Sequence, residues 1–378
     1  MKYIKTERLK CGTRIGHPVY NREGVLCYNI GTEVDPSMID RMRKMHMYGT
    51  YILEPDEKPP VFTREELEFE QFQAMQTETV ERILTSIVGR ESPRQTIFDE
   101  LIEEIYQRYC LLHSRFTFNQ SLRSEYDFIY KHSLSVTVLT ALMAGKTSAE
   151  PEEKKALLKA ALLHDIGKLY APSEILHKQD KLSDAELERM NQAILLGMNM
   201  LAKEEQLPFI TRSYLKQYAE DTCNRLPNYP HTLMDLYPGT RILKVADMYD
   251  TLTAIRPYKA PITSFAAINI MKNDPLRYDP RIVDLLSGCI EILPVGSYVV
   301  LSTGEKGIVM KENPKDHTRP VVWGLSRNMP YNLAVPTLGE ELYIIDCLMT
   351  SDNRQRISKE AVEKYIQKLK KATKKPEA

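Results

Sequence analysis

The sequence predicts a mainly α-helical protein with a small α/β module before the helices and a small β-rich appendage after them. Three observations support this prediction. Apolar residues recur at helical spacing through the middle of the chain, short apolar runs alternate with glycine turns near its start, and an alternating pattern begins beyond Pro294. At 378 residues the chain exceeds the usual size of one domain, so several units are expected.

Residues 1–56 are predicted to form the α/β module. Gly24 separates two short apolar runs, a pattern typical of a hairpin. Asp35 followed by Pro36 marks the start of a helix, with aspartate at the N-cap and proline at the first helical position. Residues 50–53 are predicted to form the closing strand. The expected role of this module is packing or dimerisation, and ligand sensing is the alternative.

Residues 61–117 are predicted to hold two amphipathic helices that follow a charged, proline-rich linker. Apolar residues lie one turn apart from Arg64 to Val88 and again from about Thr96 to Leu112. These helices either join the core of the following bundle or form the seam of a homodimer. The core is favoured because strict heptad spacing is not sustained over four heptads.

The segment Ala160–Lys168 places titratable side chains at the end of an apolar helix. Gly167 is expected to break this helix just after His164 and Asp165. Imidazole nitrogen and carboxylate oxygen both bind first-row divalent ions, and the nearby Lys168 suits a phosphate. In a purely structural alternative, His164 caps the helix and Asp165 pairs with Lys168.

Two other apolar helices also contain polar residues. His132 lies near the start of a helix predicted over 130–143, and Asp247 replaces an aliphatic residue in a helix predicted over 241–252. An isolated buried carboxylate is costly, so Asp247 requires a cation or a strong partner. The sequence thus contains His, His-Asp and Asp, in that order, on three core helices.

This order resembles the HD superfamily of metal-dependent phosphohydrolases. The resemblance implies an HD-type helical bundle over residues 118–294 and a metal held by His132, His164, Asp165 and Asp247. It narrows to HD-GYP domains, bacterial signalling modules whose usual activity is hydrolysis of cyclic di-GMP. The further motifs that match that family in order over roughly residues 120–295 are Lys168, Pro172, Ile175-Leu176, Leu182, Glu186, Asn228–Pro230, Val245–Asp250, Arg256–Lys259 and Tyr278–Pro280.

The resemblance fails at the second metal of the family. The three histidines that complete it are replaced by Ala193, Glu220 and Asp221, and Phe128 stands where three-metal members have a glutamate. The resemblance therefore implies one divalent ion, Mn²⁺, Fe²⁺ or Mg²⁺. A second site built on Glu220 and Asp221 is the alternative, against the simpler interpretation that they form an exposed acidic pair on a helix.

The resemblance also implies which residues act on the substrate. Asp165 and Lys168 are the expected catalytic residues, and Lys168, Tyr229, Arg256 and Lys259 are the expected contacts to a cyclic dinucleotide or another nucleotide phosphoester. The expected function is a divergent HD-GYP-type phosphohydrolase with weakened activity. The alternative is a non-catalytic cyclic di-GMP receptor that signals through its terminal modules.

Composition limits the remaining function classes. The formal net charge is zero, which argues against a DNA-binding surface. Six cysteines without paired spacing, no signal-peptide pattern and no apolar run near the roughly 20 residues of a membrane span lead us to expect a soluble, cytoplasmic protein. Residues 295–350 are predicted to form the β-rich appendage, and residues 351–378 a short helix and a basic tail.

Overall fold

The computed structural model describes residues 1–347 except residues 22, 56, 58, 61, 90–94, 179, 224–231, 257–260 and 336–341. The predicted C-terminal helix and basic tail, residues 351–378, lie outside the described residues. The described chain forms an α/β module, a helical body and a small sheet, in that order, so the predicted fold class is confirmed. None of the described helices has the length and hydrophobicity that crossing a membrane requires.

The N-terminal module contains two small antiparallel sheets and one helix. Its elements are β1 (Lys2–Lys5), β2 (Arg14–Ile15), β3 (Val19–Tyr20), β4 (Leu26–Tyr28), α1 (Pro36–Lys44) and β5 (Gly49–Leu53). Strand β5 lies between β1 and β2, and β3 pairs with β4. Gly24 adopts a φ of +75° in the predicted hairpin turn, a conformation that favours glycine. Asp35 caps α1 by accepting a 2.7 Å hydrogen bond from the Met38 amide, as the sequence predicts.

The helical body contains ten α-helices in its described part. They are α2 (Arg64–Val88), α3 (Gln95–Ile105), α4 (Phe128–Ala144), α5 (Pro151–Leu163), α6 (Ser173–Leu176), α7 (Asp184–Leu201), α8 (Phe209–Cys223), α9 (Pro238–Thr253), α10 (Ser264–Lys272) and α11 (Pro280–Cys289). The helix predicted to reach Leu112 ends instead at Ile105 and continues as a π-helical turn, Tyr106–Cys110. Helix α4 lies at the centre, buried on all sides, and packs against α2, α5 and α9.

The two N-terminal helices of the body belong to its core, as favoured by the sequence. Phe69 and Leu84 of α2 and Phe98 and Ile105 of α3 are buried in the same apolar cluster as α4. The apolar stripes of α2 and α3 therefore face the core of the helical body, and they exclude water from the helices that hold the candidate site.

Gly167 has a different role from the one that the sequence indicates. Helix α5 already ends at Leu163, and Gly167 lies inside a 3₁₀ turn, Ile166–Tyr170. A Cβ atom on Gly167 would lie 2.4 Å from the Cα atom of Ile194, so the glycine allows this turn to pack directly on α7. The close approach fixes the position of the turn that follows His164 and Asp165.

The N-terminal module is joined to the helical body by backbone hydrogen bonds. The Tyr48 amide donates to the Arg123 carbonyl oxygen at 3.1 Å, and the Glu125 amide donates to the His46 carbonyl oxygen at 3.0 Å. Leu122 belongs to the apolar core of the module rather than to that of the bundle. The segment that leads into α4 is therefore held by the N-terminal module.

The C-terminal appendage is a five-stranded antiparallel sheet with the strand order β10–β6–β7–β8–β9. Its strands are β6 (Tyr298–Leu301), β7 (Lys306–Lys311), β8 (Val321–Gly324), β9 (Met329–Asn332) and β10 (Ile344–Cys347). Strand β9 is not indicated by the sequence, because its four residues include a proline and only one of them is buried. One face of the sheet joins the apolar core of the helices.

Candidate metal centre

Four side chains from three helices meet inside the helical body. His132 comes from the first turns of α4, His164 and Asp165 follow the end of α5, and Asp247 lies on α9. The His132 Nε2 atom lies 3.2 Å from an oxygen of Asp165 and 3.2 Å from an oxygen of Asp247. The Nε2 atoms of the two histidines are 3.3 Å apart. Two nitrogens and two carboxylate oxygens thus converge on one point.

The opposite nitrogen of each imidazole is engaged in a hydrogen bond. His164 Nδ1 lies 2.7 Å from the Ala161 carbonyl oxygen, which has only acceptor capacity, so Nδ1 donates and Nε2 is left with its lone pair. His132 Nδ1 lies 2.6 Å from an oxygen of Asp250. Metal-binding histidines are oriented in this way by a carbonyl or carboxylate on their far side.

Asp250 is the centre of a buried polar network. It is fully buried on α9, and it accepts hydrogen bonds from Arg123 at 2.7 and 2.8 Å and from Gln120 at 3.1 Å. Burial acts to raise the pKa of Asp250, but the Arg123 charge and the His132 hydrogen bond hold that pKa well below its usual range. Asp250 is therefore an anion that connects Arg123 to His132.

The protonation states follow from the same contacts. Burial acts to lower the pKa of His132, but hydrogen bonds with Asp165, Asp247 and Asp250 raise it to about 10. Burial also acts to raise the pKa of Asp247, yet the hydrogen bond with His132 lowers it to about 2. Burial lowers the pKa of His164, which is neutral at pH 7. A proton on His132 thus occupies the place between the carboxylates.

The donor set fits a divalent cation. His132, His164 and Asp165 are buried and place one ligand atom each within 4.8 Å of one another, and Asp247 is 22% exposed at the mouth of the cluster. Imidazole nitrogens combined with carboxylate oxygens suit first-row ions such as Mn²⁺ and Fe²⁺. The ion pair between Lys168 and Asp165 is also present, so the purely structural contacts coexist with the converging donors.

Tyr218 on α8 was not identified from the sequence. Its hydroxyl donates a 2.8 Å hydrogen bond to the second oxygen of Asp247, and its ring meets the His164 ring edge-on at 5.2 Å. Burial, followed by the charge of Asp247, raises the pKa of Tyr218 well above its usual value. The hydroxyl is therefore a permanent donor that orients Asp247, and the sequence contains no periodicity that singles it out.

Two of the four expected nucleotide contacts lie beside the cluster. Lys168 pairs with Asp165, and Arg256 donates a 2.9 Å hydrogen bond to the Thr251 hydroxyl, which in turn donates to Asp247 at 3.3 Å. The other two, Tyr229 and Lys259, lie outside the described residues.

The positions expected to have lost the second-metal ligands form no cluster of their own in the described chain. Ala193 is buried on α7. Asp221 pairs with Lys244 of α9 at 2.7 Å, and Glu220 lies 3.9 Å from Lys216 in the same helix. Phe128 is the first residue of α4. Both carboxylates thus have lysine partners.

The chain is similar to known phosphodiesterases in this region. Residues 117–282 match the family model described as "HD domain". A cyclic di-GMP phosphodiesterase of Pseudomonas aeruginosa is 29% identical over 204 residues, which cover 53% of this chain and 49% of that protein. A 3'3'-cGAMP-specific phosphodiesterase of Vibrio cholerae is 31% identical over 171 residues, which cover 42% of this chain and 37% of that protein.

Two further similarities involve a response regulator and a solved structure. A cyclic di-GMP phosphodiesterase response regulator of Xanthomonas campestris is 32% identical over 151 residues, 39% of this chain and 40% of that protein. The chain thus spans half or less of the length of these curated relatives. A solved structure, an HDG"Y"P protein from Bdellovibrio bacteriovorus, is 14% identical with a TM-score of 0.44 and covers 75% of this chain and 97% of that chain.

Proposed function

We propose that the protein is a metal-dependent phosphohydrolase that acts on a cyclic dinucleotide such as cyclic di-GMP, since residues 117–282 match the HD domain family model. The observation that supports this proposal most directly is the convergence of two imidazole nitrogens and two carboxylate oxygens on one point, with the far side of each imidazole fixed by an acceptor. The dinucleotide follows from the relatives named above, which are cyclic di-GMP and cGAMP phosphodiesterases.

We assign His132, His164, Asp165 and Asp247 to one divalent ion. When bound, such an ion lowers the pKa of a water ligand and polarises a phosphoryl oxygen. The chain fixes the four donors with contacts outside the cluster, since Asp250 holds His132, the Ala161 carbonyl holds His164 and Tyr218 holds Asp247. Preorganised donors of this kind avoid reorganisation during the reaction.

The cationic side chains next to the cluster are suited to the phosphate groups. The Lys168 ammonium lies against Asp165 and adds a positive charge, while Arg256 presents a planar guanidinium that can donate two parallel hydrogen bonds to a phosphate. We assign both to substrate binding, together with Tyr229 and Lys259. Asp165 and Lys168 are the residues that we expect to be essential for turnover.

We expect a slow enzyme that uses one ion. The loss of one charge-stabilising contact typically costs about 100- to 1000-fold in rate, and the positions Ala193, Glu220 and Asp221 offer no free ligand set for a second ion. The same feature favours a second candidate function, a cyclic di-GMP receptor that keeps Lys168 and Arg256 for binding but does not hydrolyse its ligand.

One experiment separates these functions. The full chain is stripped with chelator, reloaded with Mn²⁺, Fe²⁺ or Mg²⁺, and its metal content is counted by mass spectrometry. Binding of cyclic di-GMP and 3'3'-cGAMP and formation of linear products are then measured together. Asp165→Asn tests the cluster, and Asp184→Asn on the exposed start of α7 is the matched control.

The hydrolase proposal predicts about one ion per chain and a product whose formation is lost in Asp165→Asn but not in Asp184→Asn. Binding without any product under all three ions would favour the receptor. If the chain neither bound nor cleaved either dinucleotide, both candidate functions would be refuted.

A further inference from the structure

A cavity of about 400 Å³ lies between the N-terminal module and the helical body. This volume lies within the range of small-molecule sites, about 300–1,000 Å³. One wall consists of the hairpin and α1 of the module, and the other of α2 and the segment that leads into α4. The cavity is separate from the metal cluster, since none of the four converging side chains lines it.

The inner end of this cavity presents polar atoms that have no partner among the described residues. The Ser121 hydroxyl, the Nε atom of Arg123 and the Oε1 atom of Glu70 are buried atoms of residues that line the cavity, and none of the three makes a hydrogen bond within the described chain. Buried polar atoms in folded proteins are nearly always paired, so three such atoms on the residues of one cavity indicate a missing occupant. The hydroxyl and the guanidinium nitrogen can donate and the carboxylate oxygen accepts, so the occupant presents both acceptors and donors at this end.

The rim of the cavity is positively charged. Asp127 pairs with Lys131 at 2.8 Å, and the buried Glu70 lies 3.1 Å from the His17 imidazole, which balances the charge of Glu70 only when it is protonated. Two exposed cations of α1, Arg41 and Lys44, remain without an ion pair among the described residues.

One exposed lining carboxylate, Glu23, accepts a hydrogen bond from Asn21 at 3.4 Å. The two cations of α1 thus outnumber the exposed carboxylates that line the cavity, which favours an anionic group near α1.

Two aromatic side chains also line the cavity. Tyr20 of the hairpin and Tyr126 of the segment before α4 both line the cavity, and Met45, Met47 and Leu122 add apolar surface. A flat ring packs well against tyrosine faces and methionine side chains.

The geometry points to a small anion that combines a phosphate with a planar ring that carries both hydrogen-bond acceptors and donors, that is, a mononucleotide bound between the N-terminal module and the helical body. Its phosphate lies at Arg41 and Lys44, its ring against Tyr20 and Tyr126, and the polar edge of its ring at Ser121, Arg123 and Glu70. This site does not rest on the proposed function, because none of its residues belongs to the metal cluster.

The bound ligand is connected to the metal cluster through Arg123. Arg123, which lines the cavity, donates from its guanidinium to Asp250, and Asp250 contacts His132 of α4. A ligand that changes the position of the Arg123 guanidinium also changes the contact that holds His132. By thermodynamic linkage, nucleotide binding and metal binding then change each other's affinity by the same factor.

The test uses the full chain with its metal removed, so that binding is measured without turnover. AMP, GMP and inorganic phosphate are titrated by calorimetry into the wild type and into three variants. Arg41→Gln/Lys44→Gln removes the rim charge, and Ser121→Ala removes an unpaired hydroxyl without breaking a contact of the chain. Arg43→Gln is the matched control, since Arg43 lies on the same helix with only Asp40 as its partner at 3.4 Å.

We expect AMP or GMP to bind the wild type and Arg43→Gln alike, and to bind the double variant at least about tenfold more weakly, since each lost charge-assisted hydrogen bond typically removes a factor of that size or more. Ser121→Ala is expected to weaken binding severalfold with an unchanged melting temperature. Addition of Mn²⁺ is expected to change the nucleotide affinity of the wild type.

Three results would overturn the assignment. One is no nucleotide binding to the wild type at millimolar concentration. Another is equal binding by the double variant, combined with loss of binding in Lys168→Ala, which would place the nucleotide at the metal cluster. The third is phosphate binding as tightly as either nucleotide, which would remove the ring from the proposed ligand.

Discussion

Replacement of Asp250 by asparagine tests the buried network directly. The substitution keeps the shape of the side chain but removes its charge, which leaves the Arg123 guanidinium, 2% exposed, without a counter-ion. Removal of one partner from a buried ion pair typically costs about 3–5 kcal/mol of unfolding free energy. Total stabilities are about 5–15 kcal/mol, so this loss is large and measurable by urea unfolding of the metal-free chain.

The same substitution is expected to weaken metal binding. The His132 Nδ1 atom loses its carboxylate partner at 2.6 Å, and loss of such an outer contact typically lowers metal affinity by about 10- to 100-fold. Calorimetric titration with Mn²⁺ measures this change at a temperature where the variant remains folded.

Asp221→Asn provides the matched control for both measurements. It removes an aspartate that also pairs with a cation, Lys244, but its side chain is 31% exposed, so the expected loss of stability is below about 1 kcal/mol. If Asp250→Asn were no more destabilising than Asp221→Asn and bound Mn²⁺ as the wild type does, the described link from Arg123 to the metal cluster would be wrong.

Two further predictions concern protons and the second oxygen of Asp247. The pKa of His132 is raised to about 10 in the metal-free chain, above about 6.5 in the unfolded state, so its stabilising contribution is complete below pH 6.5 and declines as the pH rises towards 10. Binding of an ion displaces this proton, and titrations at pH 8 in two buffers of different ionisation enthalpy should show release of about one proton per ion; no release would contradict the assigned protonation state. Tyr218→Phe removes the donor to Asp247 at the cost of a hydrogen bond worth about 1 kcal/mol, and should weaken Mn²⁺ binding severalfold. Tyr214→Phe on the same helix, whose hydroxyl contacts Glu153 instead, is the control and should leave Mn²⁺ binding unchanged.

The sequence was sufficient to locate the four converging side chains on their helices. Asp247 stands out because it replaces an aliphatic residue in an apolar stripe, and a carboxylate buried there requires a compensating partner. His132 stands out near the start of an apolar helix, and His164 and Asp165 stand out next to each other at the end of another. Periodicity did not single out Asp250, although it is fully buried within α9, one turn after Asp247.

Arg123 and Tyr218 could not be found in this way. Arg123 lies in an irregular segment before α4, and its partner Asp250 is 127 residues further along the chain, so no local pattern links the two. Tyr218 resembles any buried aromatic residue of an amphipathic helix until the position of Asp247 is known. The function of Gly167 was misassigned because its close neighbour, Ile194, comes from another helix.

The four converging side chains form one half of the site, and the positions where second-metal ligands are missing form the other half. The two halves differ in how their charges are balanced, and this difference bears on the number of ions. Where the resemblance leads us to expect further metal ligands, Ala193 has no polar atom to satisfy and Asp221 has an ammonium partner in Lys244, so this part is stable without an ion. At His132, Asp165 and Asp247 the carboxylates are instead balanced by a proton with a strongly raised pKa and by Lys168, both of which a divalent ion can displace. Polar groups are thus paired with a lysine in one half and held by an exchangeable proton and Lys168 in the other, and this asymmetry supports our proposal of a single ion.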